Sequence, residues 1–431
     1  MQNIFLSLAL AGSVLSPAFS QTNQPISGLS LAAALDKATK NNPDIAMAMR
    51  EVQAQVGAVR QAGILVNPEL VALVEDTKKA TRTTTLQLNQ PIELGGKRVA
   101  RMIAAELQHD ASVIELSIKR SEISAAVLVN FYDVVITQER QRLAFSSTVL
   151  AQTATQAVVK KVTLGKVAAL EETKARIAES TIQLEYVQAS SELINARQRL
   201  ATLLGGSLSD VEYINGQLSE LPALPEMPEL LASIGRAPVL LRARLEIERR
   251  LALSQIERTR RLPDLTLSVG TKRDEQLGRH QAILGIAIPI PLFDRNQGNL
   301  QEALSRTDKA RDELTLTEGR VNSEVLQAYQ RLSVAREETI LIKNELIPGT
   351  QSTYEAVLKG YEFGKFSFLD VLDAQRTLLQ TKSQYLRALS ETHRAAAEIV
   401  RLTGDITLTS NRPVSQSMSL PTSQASPSTK F

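Results

Sequence analysis

An internal duplication is the feature that most restricts how this chain can fold. When the segment beginning at Asn41 is set above the segment beginning at Gly235, the prolines of the two segments coincide. Further matches continue along the chain with almost the same offset, which predicts a tandem repeat of roughly 185 residues per copy. The matched pairs are Pro43 with Pro238, Pro68 with Pro263, Pro91-Ile92 with Pro289-Ile290, and Leu164-Gly165-Lys166 with Phe363-Gly364-Lys365.

The two copies have the same order of predicted elements. We place the first repeat at residues 28–206 and the second at 229–405, with a proline-containing linker at 207–228. In each copy a short helix is followed by a helix that starts at a proline, then a strand pair, a junction and very long helical sequence. The predicted strands lie at about 68–75, 84–90, 264–271 and 281–288.

The strand segments alternate with period two. Leu265, Leu267 and Val269 alternate with smaller or polar residues. Such alternation is typical of a barrel wall with lipid outside and water inside, and also of an ordinary amphipathic hairpin packed on helices. Four short strands cannot close a barrel, so a barrel requires several chains.

Long proline-free runs predict exceptionally long helices. No proline occurs from Ile92 to Leu221, and aromatic residues make up only 4% of the chain. A helix from about 97 to 162 would be on the order of 100 Å long. Ile103, Leu107 and Ile114 step by four and seven, the spacing of a coiled-coil seam. This favours a hollow or solenoidal assembly over one globular core.

The two termini have their own signals. Residues 1–20 contain an apolar stretch that ends in Ala18-Phe19-Ser20, which predicts an export signal cleaved before Gln21. The alternative, a membrane anchor, requires a longer apolar helix. Residues 406–431 are rich in Ser, Thr and Pro and are predicted to be disordered.

Several classes of function are excluded by what the sequence lacks. His109, His280 and His393 have no partner at metal-ligand spacing, and no phosphate loop or nucleophile elbow is present. We therefore predict no catalytic residue, metal site or cofactor. The net charge of +3 is spread over 431 residues and does not indicate a nucleic-acid partner.

The chain resembles the TolC family of outer-membrane efflux ducts over roughly residues 28–405. The most specific segments are YEFGKFSFLDVLDAQRTLL at 361–379 and the junctions PIELGGKR and PIPLFDRNQGN, which look like the branch serving cobalt-zinc-cadmium efflux pumps. The resemblance implies a mainly α-helical fold with a small β part. Three chains would form a twelve-stranded barrel in the outer membrane, continued by a twelve-helix tube in the periplasm.

The same resemblance implies a passive duct of a three-part efflux system. Its partners would be outer-membrane lipid, a periplasmic adaptor protein and an inner-membrane proton-driven pump, and its substrate divalent heavy-metal cations. A multidrug or small-molecule duct of the same family is the alternative substrate class. A coiled-coil scaffold without a pore is a further alternative, although it leaves the symmetrically placed strands unexplained.

The prolines and glycines between strand and helix are predicted to mark the change from barrel to tube. Proline has no N–H for the ladder, and glycine permits a sharp turn. These junction residues are Pro91, Gly95, Gly96, Pro289 and Pro291.

Two glycine turns are predicted at the far end of the tube, where they would contact the adaptor. They contain Gly165 and Lys166 in the first repeat, and Gly364 and Lys365 in the second. A plain helix–helix turn is the alternative for each one taken alone.

Asp370 and Asp373 match the family's pair of aspartates around the periplasmic entrance. They are three residues apart and share a helix face, so three copies would bring six carboxylates to the axis. Alternatively, Asp370 belongs to a capping box that starts at Ser367. The equivalent positions in the first repeat hold Glu171 and Lys174, so only the second repeat is expected to carry the ring.

Tyr361 matches the family's latch tyrosine near this constriction. The arginine usual five residues later is absent, because Phe366 occupies that position with Lys365 beside it. This departure argues against a latch made of the family's hydrogen bonds.

Overall fold

The computed structural model describes residues 28–216, 218 and 220–409. The predicted signal peptide and residues 410–431 of the predicted tail lie outside the described residues. The helices are α1 Leu31–Asn41, α2 Pro43–Ala62, α3 Lys97–Thr163, α4 Ala169–Leu203, α5 Met227–Ile234, α6 Pro238–Thr259, α7 Gln297–Leu341, α8 Ile347–Glu362 and α9 Phe368–Thr403. The strands are β1 Glu69–Glu75, β2 Thr83–Ile92, β3 Leu265–Asp274 and β4 Arg279–Ala287.

The four strands form one antiparallel sheet in the order β1-β2-β3-β4. Its centre joins the two repeats, since β2 of the first pairs with β3 of the second, with Leu88 opposite Val269. The strands β1 and β4 lie at the edges, and each has one strand neighbour among the described residues. The sheet therefore ends in two rows of unpaired backbone groups.

Strand β2 runs through Pro91, beyond the predicted end of the strand at residue 90. The pairing of β1 with β2 stops at Glu69 and Asn89, so only β3 neighbours β2 at Pro91, where it lies opposite Thr266. At this point β2 is an edge strand, and a proline is tolerated there because no second ladder needs its N–H.

The long helix predicted from about 97 to 162 is confirmed. Helix α3 has 67 residues and is about 100 Å long at 1.5 Å per residue. It packs against α4 on one side and α9 on the other, and α9 packs in turn against α7 and α8. The long helices therefore form a row in the order α4, α3, α9, α7–α8.

Equivalent apolar cores lie near the middle of each repeat. In the first, Val127, Phe131 and Leu200 are almost fully buried beneath α1. In the second, Val325, Leu332 and Ile399 are buried beneath α5 and the start of α6. A smaller cluster of Ala125, Leu128 and Ala397 joins the two cores. Each repeat thus buries its own core, and the contact between α3 and α9 connects them.

A helix continues past Pro348 through a π-helical turn. Residues Ile342–Leu346 are π-helical and lead directly into α8, which carries this proline in its first turn. A proline inside a regular α-helix removes one hydrogen bond and collides with the preceding turn. The wider turn before Pro348 accommodates this defect without ending the helix.

The first four residues of the predicted disordered tail have a defined turn. Ile406–Thr409 form a 3-10 helix after Gly404, which ends α9 with a φ of 76°. The carboxylate of Asp405 accepts a hydrogen bond of 2.9 Å from the backbone N–H of Thr407 and so stabilises this turn. Among the described residues, every helix is either too short or too polar to cross a membrane.

Candidate functional site: hairpin tips and strand-to-helix junctions

The two glycine turns have the same backbone structure. Gly165 ends α3 with a φ of 67°, and Gly364 ends α8 with a φ of 73°. In each, the lysine after the glycine donates its N–H to a carbonyl five residues earlier, over 2.9 Å from Lys166 to Lys161 and 2.8 Å from Lys365 to Gly360. This is the Schellman arrangement, in which a left-handed glycine closes the last helical turn.

Each tip also exposes an apolar side chain beside a lysine. Leu164 is 68% exposed and Phe363 is 71% exposed, and the lysines that follow the two glycines are exposed as well. A single exposed apolar side chain is common on protein surfaces, but here the same pairing of an apolar residue with a lysine recurs at both tips. The repeated chemistry of both tips suits binding to another protein.

Tyr361 connects the two tips. The ammonium group of Lys161, in the last turn of α3, lies 3.8 Å from the centroid of the Tyr361 ring. The ring of Phe368, at the start of α9, lies 5.9 Å from the Tyr361 ring. The contact between Lys161 and Tyr361 is a cation–π interaction that links the first repeat to the second.

Phe366, which stands where the family has its arginine, has a packing role. A Cβ atom placed on Gly360 would lie 2.3 Å from Cδ2 of Phe366, so the aromatic ring rests directly on the backbone of α8. The cation beside Tyr361 therefore comes from the other hairpin. The sequence of the second repeat alone could not reveal this cation, because Lys161 belongs to the first repeat. In the alignment of the two repeats, Lys161 stands opposite Gly360.

Asp370 is the last member of a capping box at the start of α9. Its carboxylate accepts a 2.8 Å hydrogen bond from the backbone N–H of Ser367, and the Ser367 hydroxyl accepts one of 3.3 Å from the Asp370 N–H. The hydroxyl of Ser367 also donates to this carboxylate, and these hydrogen bonds to the charged form lower the pKa of Asp370. Within one chain, Asp370 is thus the capping residue that the alternative interpretation predicted.

Asp373 has no such role. It is exposed on α9, and its carboxylate has no hydrogen-bond or ion-pair partner in the described part of the chain. At the equivalent position of the first repeat, Lys174 donates to Glu171 over 3.1 Å. The first repeat therefore neutralises its acidic residue at this level, whereas the second leaves a carboxylate free.

The first junction is anchored by Asp264, which lies just before β3. Its Oδ1 atom accepts hydrogen bonds from Nζ of Lys97, over 2.7 Å, and from the backbone N–H of Leu94, over 3.2 Å. Gly95 and Gly96 between them have φ values of 71° and 74°, in the left-handed region. The turn that the glycines permit is thus fastened to the second repeat.

The second junction is anchored to helix α6. After Pro289 and Pro291, Asn296 adopts a φ of 56° and precedes the first turn of α7. Its side-chain amide donates to the backbone carbonyl of Glu257 over 2.9 Å and to the Glu257 carboxylate over 2.7 Å. Asp264 and Glu257 were not predicted from the sequence, because their partners are far away along the chain.

The histidines and carboxylates of the described residues do not assemble a metal centre. No three of them come within metal-binding distance of one another. His393 is 2% exposed and stacks on Tyr132, with ring centroids 3.4 Å apart. Burial lowers the pKa of His393 to about 3, so the ring is neutral.

The class of the protein follows from a family model that matches both repeats. The family model "Outer membrane efflux protein" matches residues 34–206 and 232–405, one segment per repeat, and the chain belongs to this family. It is an outer-membrane efflux channel and not an enzyme.

Particular relatives agree with this class and with the resemblance seen in the sequence. The chain is 41% identical over 418 residues to the cobalt-zinc-cadmium resistance protein CzcC of Cupriavidus metallidurans, covering 94% of this chain and all of that protein. The crystal structure of the outer membrane protein VceC from Vibrio cholerae has the same fold, with a TM-score of 0.73 and 19% identity. That match covers 87% of this chain and 96% of VceC. The channel CusC matches with a TM-score of 0.68 and 20% identity, over 86% of this chain and 90% of that chain.

Proposed function

We propose that three copies of this chain form a duct that passes divalent heavy-metal cations across the outer membrane. The cations would come from an inner-membrane proton-driven pump through a periplasmic adaptor. The identity to CzcC, along the whole length of that protein, is the observation that carries the choice of substrate. The alternative is the export of drugs or other small molecules through the same duct.

The sheet supports closure by several copies. Its edges β1 and β4 both carry unpaired backbone groups, which are costly in a lipid environment. On β4, Leu284 is 84% exposed and Ile286 is 71% exposed, while Gly285 between them has no side chain. An exposed apolar row on one face of the sheet suits contact with lipid, and pairing β4 of one copy with β1 of the next would remove both edges.

The tips support docking of the adaptor and selection of charge. Asp373 of three copies would place three unpaired carboxylates at the periplasmic entrance. The three Asp370 carboxylates, which accept the capping hydrogen bonds, would add three more negative charges there. Carboxylates attract cations without distinguishing strongly among divalent metals. Selectivity for a metal would then reside in the pump, and the duct conducts passively.

Metal tolerance tests the substrate. The chain is expressed in a host that retains a metal pump and its adaptor but has lost the outer-membrane component. Restored growth in cobalt, zinc and cadmium salts supports the proposal. Restored tolerance to dyes or antibiotics, with metal sensitivity unchanged, identifies the multidrug alternative.

Current through a planar lipid bilayer tests the pore and its entrance. Asp373→Asn is expected to reduce block by divalent cations from the periplasmic side, because the free carboxylate is removed while the capping box remains. Asp312→Asn, an exposed aspartate far up α7, is the matched control. Block that is equally strong in both variants and in the unaltered channel refutes the entrance ring, and the absence of any current indicates a scaffold.

A further inference from the structure

One face of the sheet carries apolar side chains across all four strands. On β3, exposed and half-buried residues alternate, so the exposed side chains share one face. Gly270 and Gly285 lie on the other face, where the lack of a side chain lets a strand bend. The more exposed face is therefore the outer face of the curved sheet. Its large apolar residues are Leu70, Leu86, Leu88, Leu267, Val269, Leu284 and Ile286.

This apolar face ends in a basic pair. Along β3, Leu267 and Val269 are followed on the same face by Thr271 and then by Arg273. Arg273 lies opposite His280 of β4, and both side chains are exposed. From Leu267 to Arg273 the strand rises about 20 Å, at 3.4 Å per residue, a length comparable with the apolar band of outer-membrane barrels. The outer face thus changes from apolar to basic where such a band would end.

The hairpin turns add further cations beyond this pair. Residues 75–82 and 272–280 together hold six Lys or Arg and four Asp or Glu. Lys78 and Lys79 are exposed in the first turn, and neither ammonium group has an ion-pair partner in the part of the chain that the structure describes. At their other ends, β2 and β4 lead through the junctions into the long helices. The basic end of the sheet is therefore the end away from the helical part.

Arg273 keeps hydrogen-bond donors for a ligand. Its Nε atom donates to the Glu275 carboxylate over 2.9 Å, and its Nη2 atom lies 3.4 Å from the second carboxylate oxygen. Both side chains are partly exposed to water, and exposed ion pairs of this kind contribute little to stability. The pair uses two of the five guanidinium N–H groups. The remaining N–H groups suit the oxygens of a phosphate, an anion whose shape the guanidinium matches.

We propose that Arg273 and His280, together with the two turn lysines, bind the phosphate groups of lipid in the outer leaflet of the outer membrane. This inference rests on the proposed duct, which places the outer face of the sheet in lipid. A phosphorylated lipid fits both parts of the surface, because its acyl chains contact the apolar residues while its phosphates meet the cations beyond them. An imidazole N–H of His280 donates to a phosphate oxygen. A free anion or an acidic protein would leave the apolar part unused.

Lipid binding to the full-length protein in detergent tests this surface. The probe is lipid A with two phosphates, compared with the same lipid after removal of its phosphates, and bound lipid is measured by native mass spectrometry. The unaltered protein is expected to bind the phosphorylated form about tenfold more tightly or better, and Arg273→Gln should reduce this preference by about fivefold. The control Arg279→Gln removes the same charge next to His280, but Arg279 lies opposite Asp274 on the other face. This control should keep the preference.

Glu275→Gln tests the surface in the opposite direction. It removes the carboxylate that pairs with Arg273, so binding of the phosphorylated lipid should tighten by about two- to fivefold. Equal binding of the two lipids, or equal losses in Arg273→Gln and Arg279→Gln, refutes the lipid site. Release of the bound lipid by millimolar inorganic phosphate indicates a plain anion site and refutes it as well.

Current in planar bilayers separates this inference from the proposed duct. Channels that conduct in a bilayer of uncharged lipid, in a protein that does not prefer phosphorylated lipid A, refute the lipid site and leave the duct standing. The absence of current in bilayers with and without lipid A refutes the duct itself.

Discussion

The two adjacent glycines of the first junction allow backbone strain and steric crowding to be measured separately. Gly95 and Gly96 have φ values of 71° and 74°, so alanine meets the same left-handed backbone at both. That conformation costs a residue with a Cβ atom about 1–2 kcal/mol. This part of the free energy of unfolding should be lost equally in Gly95→Ala and Gly96→Ala.

The surroundings of the two glycines differ. A Cβ atom on Gly96 meets nothing within 4 Å, whereas one on Gly95 would lie 2.6 Å from Cδ1 of Leu262. Carbon atoms normally keep about 3.5–4.0 Å apart, so Leu262 must move by roughly 1 Å. Leu262 is 52% exposed and can rotate towards solvent, at a cost of about 0.5–1.5 kcal/mol. Gly95→Ala should therefore lose about 1.5–3.5 kcal/mol and Gly96→Ala about 1–2 kcal/mol, with the loss for Gly95→Ala larger by the cost of moving Leu262.

The assay is urea unfolding of both variants in detergent, followed by circular dichroism at 222 nm. Adding Leu262→Ala to each variant completes a double-mutant cycle. The truncation removes Cγ and Cδ1, so it should recover most of the extra loss in Gly95→Ala and none of the loss in Gly96→Ala. Equal losses in the two alanine variants, or equal responses to Leu262→Ala, would show that this contact does not constrain the junction.

Three further perturbations test individual contacts. Burial lowers the pKa of His393, so its contribution to stability is complete above pH 6.5 and declines as the pH falls towards 3. The free energy of unfolding should drop by about 2 kcal/mol between pH 6.5 and 4.5 through this group, and His393→Phe, which keeps an aromatic ring against Tyr132, should remove this part of the slope in acid unfolding measurements. Lys161→Met removes the cation from Tyr361 and should raise the open fraction of the channel in single-channel records roughly two- to fivefold, whereas Lys161→Arg keeps the cation and should not. Equal open fractions in the two variants would show that this contact does not hold the two tips together in the closed channel. Asp264→Ala leaves the largely buried Lys97 unpaired and should lower the free energy of unfolding by about 1–3 kcal/mol. Asp264→Asn should lose less, because the amide oxygen still accepts a hydrogen bond. Both losses are measured by urea unfolding, and no loss in either variant refutes the anchor.

Local signals predicted much of the architecture. The proline-free run predicted α3 to within one residue at its end, because a helix continues while each residue favours it and no proline interrupts the hydrogen bonds. Ser367 and Asp370 predicted the capping box, because its partners are three residues apart in the sequence. The resemblance to outer-membrane efflux ducts, based on residues 361–379 and the junctions, is confirmed by family membership.

Long-range contacts could not be predicted in this way. Lys97 and Asp264 are 167 residues apart, and the choice of Asp264 among many acidic residues depends on how the two repeats pack. Lys161 likewise meets Tyr361 only because the tips of both hairpins lie side by side. The continuation of helix past Pro348 also required the structure, because a π-helical turn absorbs the defect that a proline normally causes.

The sequence by itself determined the duplication, the long helices, the strand pairs and the glycine turns, since each follows from residues close together in the chain. The tertiary structure decided the order of the helices in the row and which faces remain uncovered. The seam of α3 shows the physical reason. The coiled-coil spacing of Ile103, Leu107 and Ile114 is visible in the sequence, but whether another helix covers such a residue depends on the packing of helices distant along the chain, and Ile103 remains 46% exposed.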